Sequence, residues 1–165
     1  ELTQEKDSLT SSLTEAQANK VQLMANTQLI EAVLMNMKGT GDEMAVAEAL
    51  EQINTEYLQN DATESYKALY ETLREDVSKV VARNSYNVGY DAYRSEDYDT
   101  AIKNLERAYS YDPTNGEALY NLGNSYNKKG NLDKAVEIYE QVIELFPNTA
   151  KARKSQNYIK EIKGE

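Results

Sequence analysis

Residues 82–115 and 116–149 echo one another at a fixed offset of 34 positions, and that offset constrains the fold more than anything else in the chain. Aligned, the two stretches keep Tyr86/Tyr120, Asn87/Asn121, Gly89/Gly123, Asp99/Asp133, Ala101/Ala135, Glu106/Glu140 and Pro113/Pro147. Val88/Leu122, Arg94/Lys128 and Ile102/Val136 match in kind. A period of this length predicts a solenoid of helix pairs, in which each pair buries its apolar face against its neighbours. The small residues at Gly89, Ala101, Gly123 and Ala135 permit close helix crossing, and Pro113 and Pro147 stop the second helix of each unit.

On these residues the chain resembles the tetratricopeptide-repeat family over 82–149, with an extension through 162. The resemblance implies an all-α fold, an antiparallel helix-pair solenoid forming a right-handed superhelix, here preceded by a long helix or coiled-coil segment. It also implies a concave face lined by the first helix of each pair. The residues placed there are Arg83, Tyr86, Tyr90, Tyr93 and Arg94, then Glu117, Tyr120, Asn124, Asn127 and Lys128, then Lys151, Lys154 and Tyr158. Some family members clamp acidic chaperone tails with Lys, Asn and Arg. Asn121 and Lys151 fit that pattern, but Tyr86, Tyr90 and Ser155 stand where it needs other residues, so the clamp is broken. Tyrosine offers contact area at low entropic loss, Arg and Lys can hold carboxylates, and Asn can meet a peptide backbone. Tyr86, Tyr90 and Tyr120 are expected to be exposed, whereas Tyr98, Tyr109, Tyr111, Tyr126 and Tyr139 fill gaps between helices.

Composition narrows the chemistry. The 165 residues hold no Cys, no His and no Trp, but 13 Tyr. Disulfides, thiolate catalysis, Cys/His zinc sites and Ser-His or Cys-His nucleophile pairs are thereby excluded. The formal charge of −10 argues against nucleic acid as a ligand. It concentrates in residues 1–80, with 15 acids and 6 bases, while residues 81–165 carry 13 acids and 12 bases. Asp91, Glu96, Asp97 and Asp99 cluster at a helix–helix turn, where acids serve as caps more often than as cation ligands. No catalytic residue, metal or cofactor is expected.

Toward the N-terminus, Leu2, Leu9, Ala16, Leu23, Ile30 and Met37 recur at strict sevens. Leu13 and Leu34 supply part of a second seam, which Lys6, Lys20 and Thr27 interrupt. This spacing suits a weak coiled coil over about 1–25, or one long amphipathic helix packed on its own domain. Residues 21–81 read as a helical region holding a degenerate helix pair. Lys38-Gly39-Thr40-Gly41 breaks the first helix, Asp42 caps a second over 43–54 or 58, and Asp61 caps a third. An uninterrupted apolar period predicts that third helix from about 62 to 94, leaving no flexible linker before the repeats. The repeats follow at 82–115 and 116–149, with a capping helix in 150–165.

Function is expected to be non-covalent: a peptide or protein segment bound in the concave groove, the chain serving as adaptor or scaffold. The alternative is an oligomerising ectodomain of an envelope protein, with residues 1–37 self-associating and the repeats as spacer. The order of coiled coil then repeats resembles periplasmic or surface-anchored bacterial proteins, which implies an extracytoplasmic setting. Any membrane attachment would run through an anchor upstream of Glu1.

Overall fold

The structure, a computed structural model, describes residues 2–37 and 42–164. The expected break at Lys38-Gly39-Thr40-Gly41 lies outside the described residues, as do the side chains of Leu2 and Met37. Within them the chain is all-α, with helices α1 Leu2–Met37, α2 Glu43–Glu51, α3 Thr55–Asn60, α4 Glu64–Arg94, α5 Tyr98–Tyr111, α6 Gly116–Lys129, α7 Leu132–Leu145 and α8 Ala150–Lys163. Two compact units are formed, one ending at Val77 and the other beginning at Ser78. Helix α4 runs through that boundary, with residues 64–77 in the first unit and 78–94 in the second.

In the first unit, α1 turns Ala25, Leu29 and Ala32 inward, and α2 supplies Val46, Ala47, Ala49 and Leu50. Tyr66 of α4 donates its hydroxyl to the Ala25 carbonyl at 2.7 Å and meets the Tyr57 ring edge-on, centroids 5.5 Å apart. The single helix expected over 43–54 or 58 is two helices. Asn54 adopts an extended backbone and accepts the Tyr57 amide on Oδ1 at 2.9 Å, so a capping residue interrupts the helical period. The cap of α4 is also displaced from the expected Asp61. Thr63 Oγ1 accepts the Tyr66 amide at 3.2 Å, while Asp61 ends α3.

The second unit is a stack of helix pairs. Its buried core joins Ala101, Ile102 and Leu105 of α5, Leu119, Tyr120 and Leu122 of α6, and Ala135, Ile138, Tyr139 and Val142 of α7. The 34-residue period is visible in how the chain turns. Asp97 and Asn131 occupy equivalent positions, and each side chain accepts the amide three residues on, at 3.1 and 3.3 Å. Just before them, Glu96 and Gly130 both have left-handed φ, 63° and 85°, closing each intra-repeat turn. At the next turn Asn115 caps α6 and Thr149 caps α8. Close crossing also repeats. A Cβ on Gly89 would lie 2.8 Å from Leu105 Cγ, and one on Gly123 would lie 2.8 Å from Tyr139 Cδ1. Leu105 and Tyr139 are themselves 34 positions apart.

Candidate functional site

The second part of α4 with α6 and α8, the first helices of successive pairs, carries the expected site residues. Two clefts open among them. The first, about 480 Å³, is lined by Ser78, Lys79, Ala82, Arg83 and Tyr86, with Tyr111, Asp112, Thr114 and Asn115 opposite. The second, about 340 Å³, is lined by Tyr93, Asn124, Asn127, Lys128, Tyr158 and Glu161.

Helical spacing brings Tyr86 and Tyr90 one turn apart on α4, and their rings stack with centroids 5.9 Å apart and planes 8° from parallel. Tyr90 is 38 % exposed. Tyr86 is half-buried, and its hydroxyl accepts a long hydrogen bond, 3.4 Å, from Asn121 Nδ2. Burial raises the Tyr86 pKa, and the nearby Glu117 charge raises it further. This pair offers a flat aromatic surface beside Arg83, which is exposed.

Buried tyrosines pack against the residues that line the second cleft. Tyr139, fully buried, donates to Asn124 Oδ1 at 2.8 Å. Its ring stacks on Tyr158 at 5.4 Å and lies 6.4 Å from Tyr120. Burial lifts the Tyr120 pKa to about 12. Burial likewise drives the Tyr139 pKa well above the usual tyrosine range and raises that of Tyr93.

The structure therefore divides the expected residues. Tyr93, Asn124, Asn127, Lys128 and Tyr158 converge on one cleft, and Arg83 and Tyr86 on the other, with Tyr90 stacked alongside. Tyr120 is only 9 % exposed, which corrects the expectation that it is open. Its ring points at Tyr139 and completes the core, so helical period alone placed it on the right helix but one step too far outward. Asn121 and Asn124 are also buried. Lys151 is half-buried and paired with Glu117, so its charge is already met. Arg94 and Lys154 are exposed but line neither cleft.

Lys79 and Glu161 line the clefts without having been singled out. Lys79 precedes Arg83 by one helical turn, a signal visible in the sequence but hidden by beginning the repeat at residue 82. Lys79, Arg83 and Lys128 supply positive charge on this face, Asp112 and Glu161 negative. Of the acidic cluster at residues 91–99, Asp97 serves as the α5 cap, and its hydrogen bonds from Thr100 hold the carboxyl below the usual carboxylate range. Among the described residues no three acidic side chains converge to hold a metal, and no helix is long and apolar enough to cross a membrane.

Comparison with known proteins agrees with this geometry. A family model described as a tetratricopeptide repeat matches residues 92–156. The chain is 29 % identical over 82 residues to the photosystem I assembly protein Ycf3 of Prochlorococcus marinus. That match covers 48 % of this chain and 47 % of the relative, so the chain spans about half the length of the curated relative it matches.

Proposed function

We propose that this chain, whose second unit carries a tetratricopeptide-repeat domain, is an adaptor that holds an extended, acidic segment of a protein partner on the face formed by α4, α6 and α8. The carrying observation is the accessible Tyr86–Tyr90 stack flanked by Arg83, with Lys128 in the neighbouring cleft. Rigid stacked tyrosines present apolar area with little side-chain entropy left to lose. Lys79 and Arg83 add cations that a partner's carboxylates can meet. Asn127, half-buried at the second cleft, supplies an amide that can both donate to and accept from a peptide backbone. Repeat units at 82–115 and 116–149, with α8 as cap, are the frame of this reading. That the similar Ycf3 is named an assembly protein is in keeping with a non-enzymatic role of bringing other chains together.

Selection of random peptides on the full chain, repeated on a Tyr86→Ala/Tyr90→Ala/Lys128→Glu variant, tests the proposal. Acidic peptides enriched by the parent and lost by the variant support it. Equal enrichment by both would move the binding surface elsewhere.

A second reading, self-association through residues 1–37, is favoured by one observation. Leu9, Leu13, Leu23, Ile30 and Leu34 of α1 are each more than half exposed.

A further inference from the structure

Residues 4–24 of α1 are all exposed, and its own unit meets that stretch only along one side, where Ala18, Asn19, Val21 and Gln22 share an open cleft with Asn54, Tyr57 and Asp61. Helices in proteins draw most of their stability from packing of an apolar face rather than from propensity. Several side chains of this stretch also pull against helicity: Thr10 and Thr14 turn their hydroxyls back onto carbonyls four residues earlier, at 2.9 Å. Its apolar residues are arranged rather than scattered. Leu9, Ala16, Leu23 and Ile30 form one seam line, and Leu13 and Leu34 belong to the adjoining line with Lys6, Lys20 and Thr27. At 3.6 residues per turn this stripe lies about half a circle from Ala25, Leu29 and Ala32, which α1 buries inside its own unit. One face of the helix is occupied and the opposite face is vacant.

We infer that the vacant face pairs with the same face of a second copy in antiparallel register, with residue i of one copy level with residue 43 − i of the other. This deepens the self-association reading and rests on it. Charge selects the direction. In a parallel pair each seam position meets itself, so Lys20 would face Lys20 and Lys6 would face Lys6 across the axis, like charges in the driest part of the contact. In the antiparallel register Lys20 meets Leu23 of the other copy, where its aliphatic stem covers the leucine while the ammonium reaches water. The large apolar residues then meet one another: Leu9 with Leu34, and Leu13 with Ile30, each twice by symmetry. Ala16 and Thr27, the small members, fall opposite each other. Flanking positions bring no like charges together, since Thr10 approaches Glu31, Gln17 approaches Met24 and Asn19 approaches Asn26. The seam from 9 to 34 is about 39 Å long at 1.5 Å per residue.

The absence of cysteine permits a clean test on the full chain. Leu13→Cys and Ile30→Cys copies, differently tagged, are mixed under mild oxidation, with sedimentation of the parent chain across concentration run beside them. The register predicts that at least three quarters of the cross-linked product joins Leu13→Cys to Ile30→Cys. Predominant Leu13→Cys homodimers would overturn the antiparallel register while leaving self-association standing. A parent chain that stays monomeric up to high micromolar concentration, with no disulfide above the level given by an exposed Glu48→Cys control, would overturn both.

Discussion

Gly123 lies so close to Tyr139 that a methyl group on its Cα would fall 2.8 Å from two carbons of the ring. The ring is fully buried and stacked on Tyr158, so it has little room to withdraw. The missing side chain is thus the condition for α6 and α7 to cross closely enough for Tyr139 to reach Asn124. Gly89 has the same relation to Leu105, and there the Leu105 backbone nitrogen is also only 3.0 Å away.

Gly123→Ala and Gly89→Ala are accordingly expected to destabilise the second unit by up to about 2 kcal/mol. Overpacking of this kind is unfavourable by about 1–3 kcal/mol, and the better helix propensity of alanine returns about 1 kcal/mol. Urea unfolding followed by circular dichroism reads the change. Raised stability would mean that the crossing is looser than the structure shows.

Tyr139→Phe removes the donor at 2.8 Å from Asn124 Oδ1 while keeping the ring in place. A buried acceptor losing its partner is unfavourable by about 1–3 kcal/mol. The expected result is a melting temperature a few degrees lower with unchanged helicity, read by thermal denaturation of the variant beside the parent.

Stability should also fall at high pH. Burial holds the pKa of Tyr66, Tyr120 and Tyr126 at about 12, above the ordinary tyrosine value near 10. Between those values the unfolded chain releases protons that the folded chain retains, so unfolding gains on folding. Their contribution is intact below pH 10 and disappears as pH rises toward 12. Melting temperature measured from pH 8 to 12 should be flat at first and then drop steeply, while tyrosinate absorbance at 295 nm appears only together with unfolding for these residues.

Asn115→Ala should lower stability by about 1 kcal/mol, because its Oδ1 accepts the Ala118 amide at 3.0 Å and caps α6. Asn115→Asp keeps the acceptor and should restore most of the loss. Chemical denaturation of both variants checks the pair of outcomes.

Much of this fold was legible in the residues. The 34-residue period, the Gly–Ala spacing and the Asp42 and Asp97 caps each carry a local physical signal, and α2 and α5 begin where those caps stand. Positions with two local solutions misled. Asn54 sits in a helical period yet caps the next helix, and Thr63 outcompetes Asp61 as the α4 cap. The site was legible as a face but not in depth. Tyr120 and Tyr90 share a helix class and a residue type, and only the approach of Tyr139 and Tyr158 buries the former. Lys151 is subtler still, since its partner Glu117 stands on a different helix.

The claim that the α4–α6–α8 face binds an acidic segment is tested most directly by the affinity of one selected peptide for the parent chain and for the Tyr86→Ala/Tyr90→Ala/Lys128→Glu variant, each at low and at high salt. Loss of aromatic anchors and a charge predicts at least a tenfold weaker Kd for the variant, and a parent affinity that falls as salt rises. A Kd that agrees within twofold between the two chains, at both salt concentrations, would contradict the account.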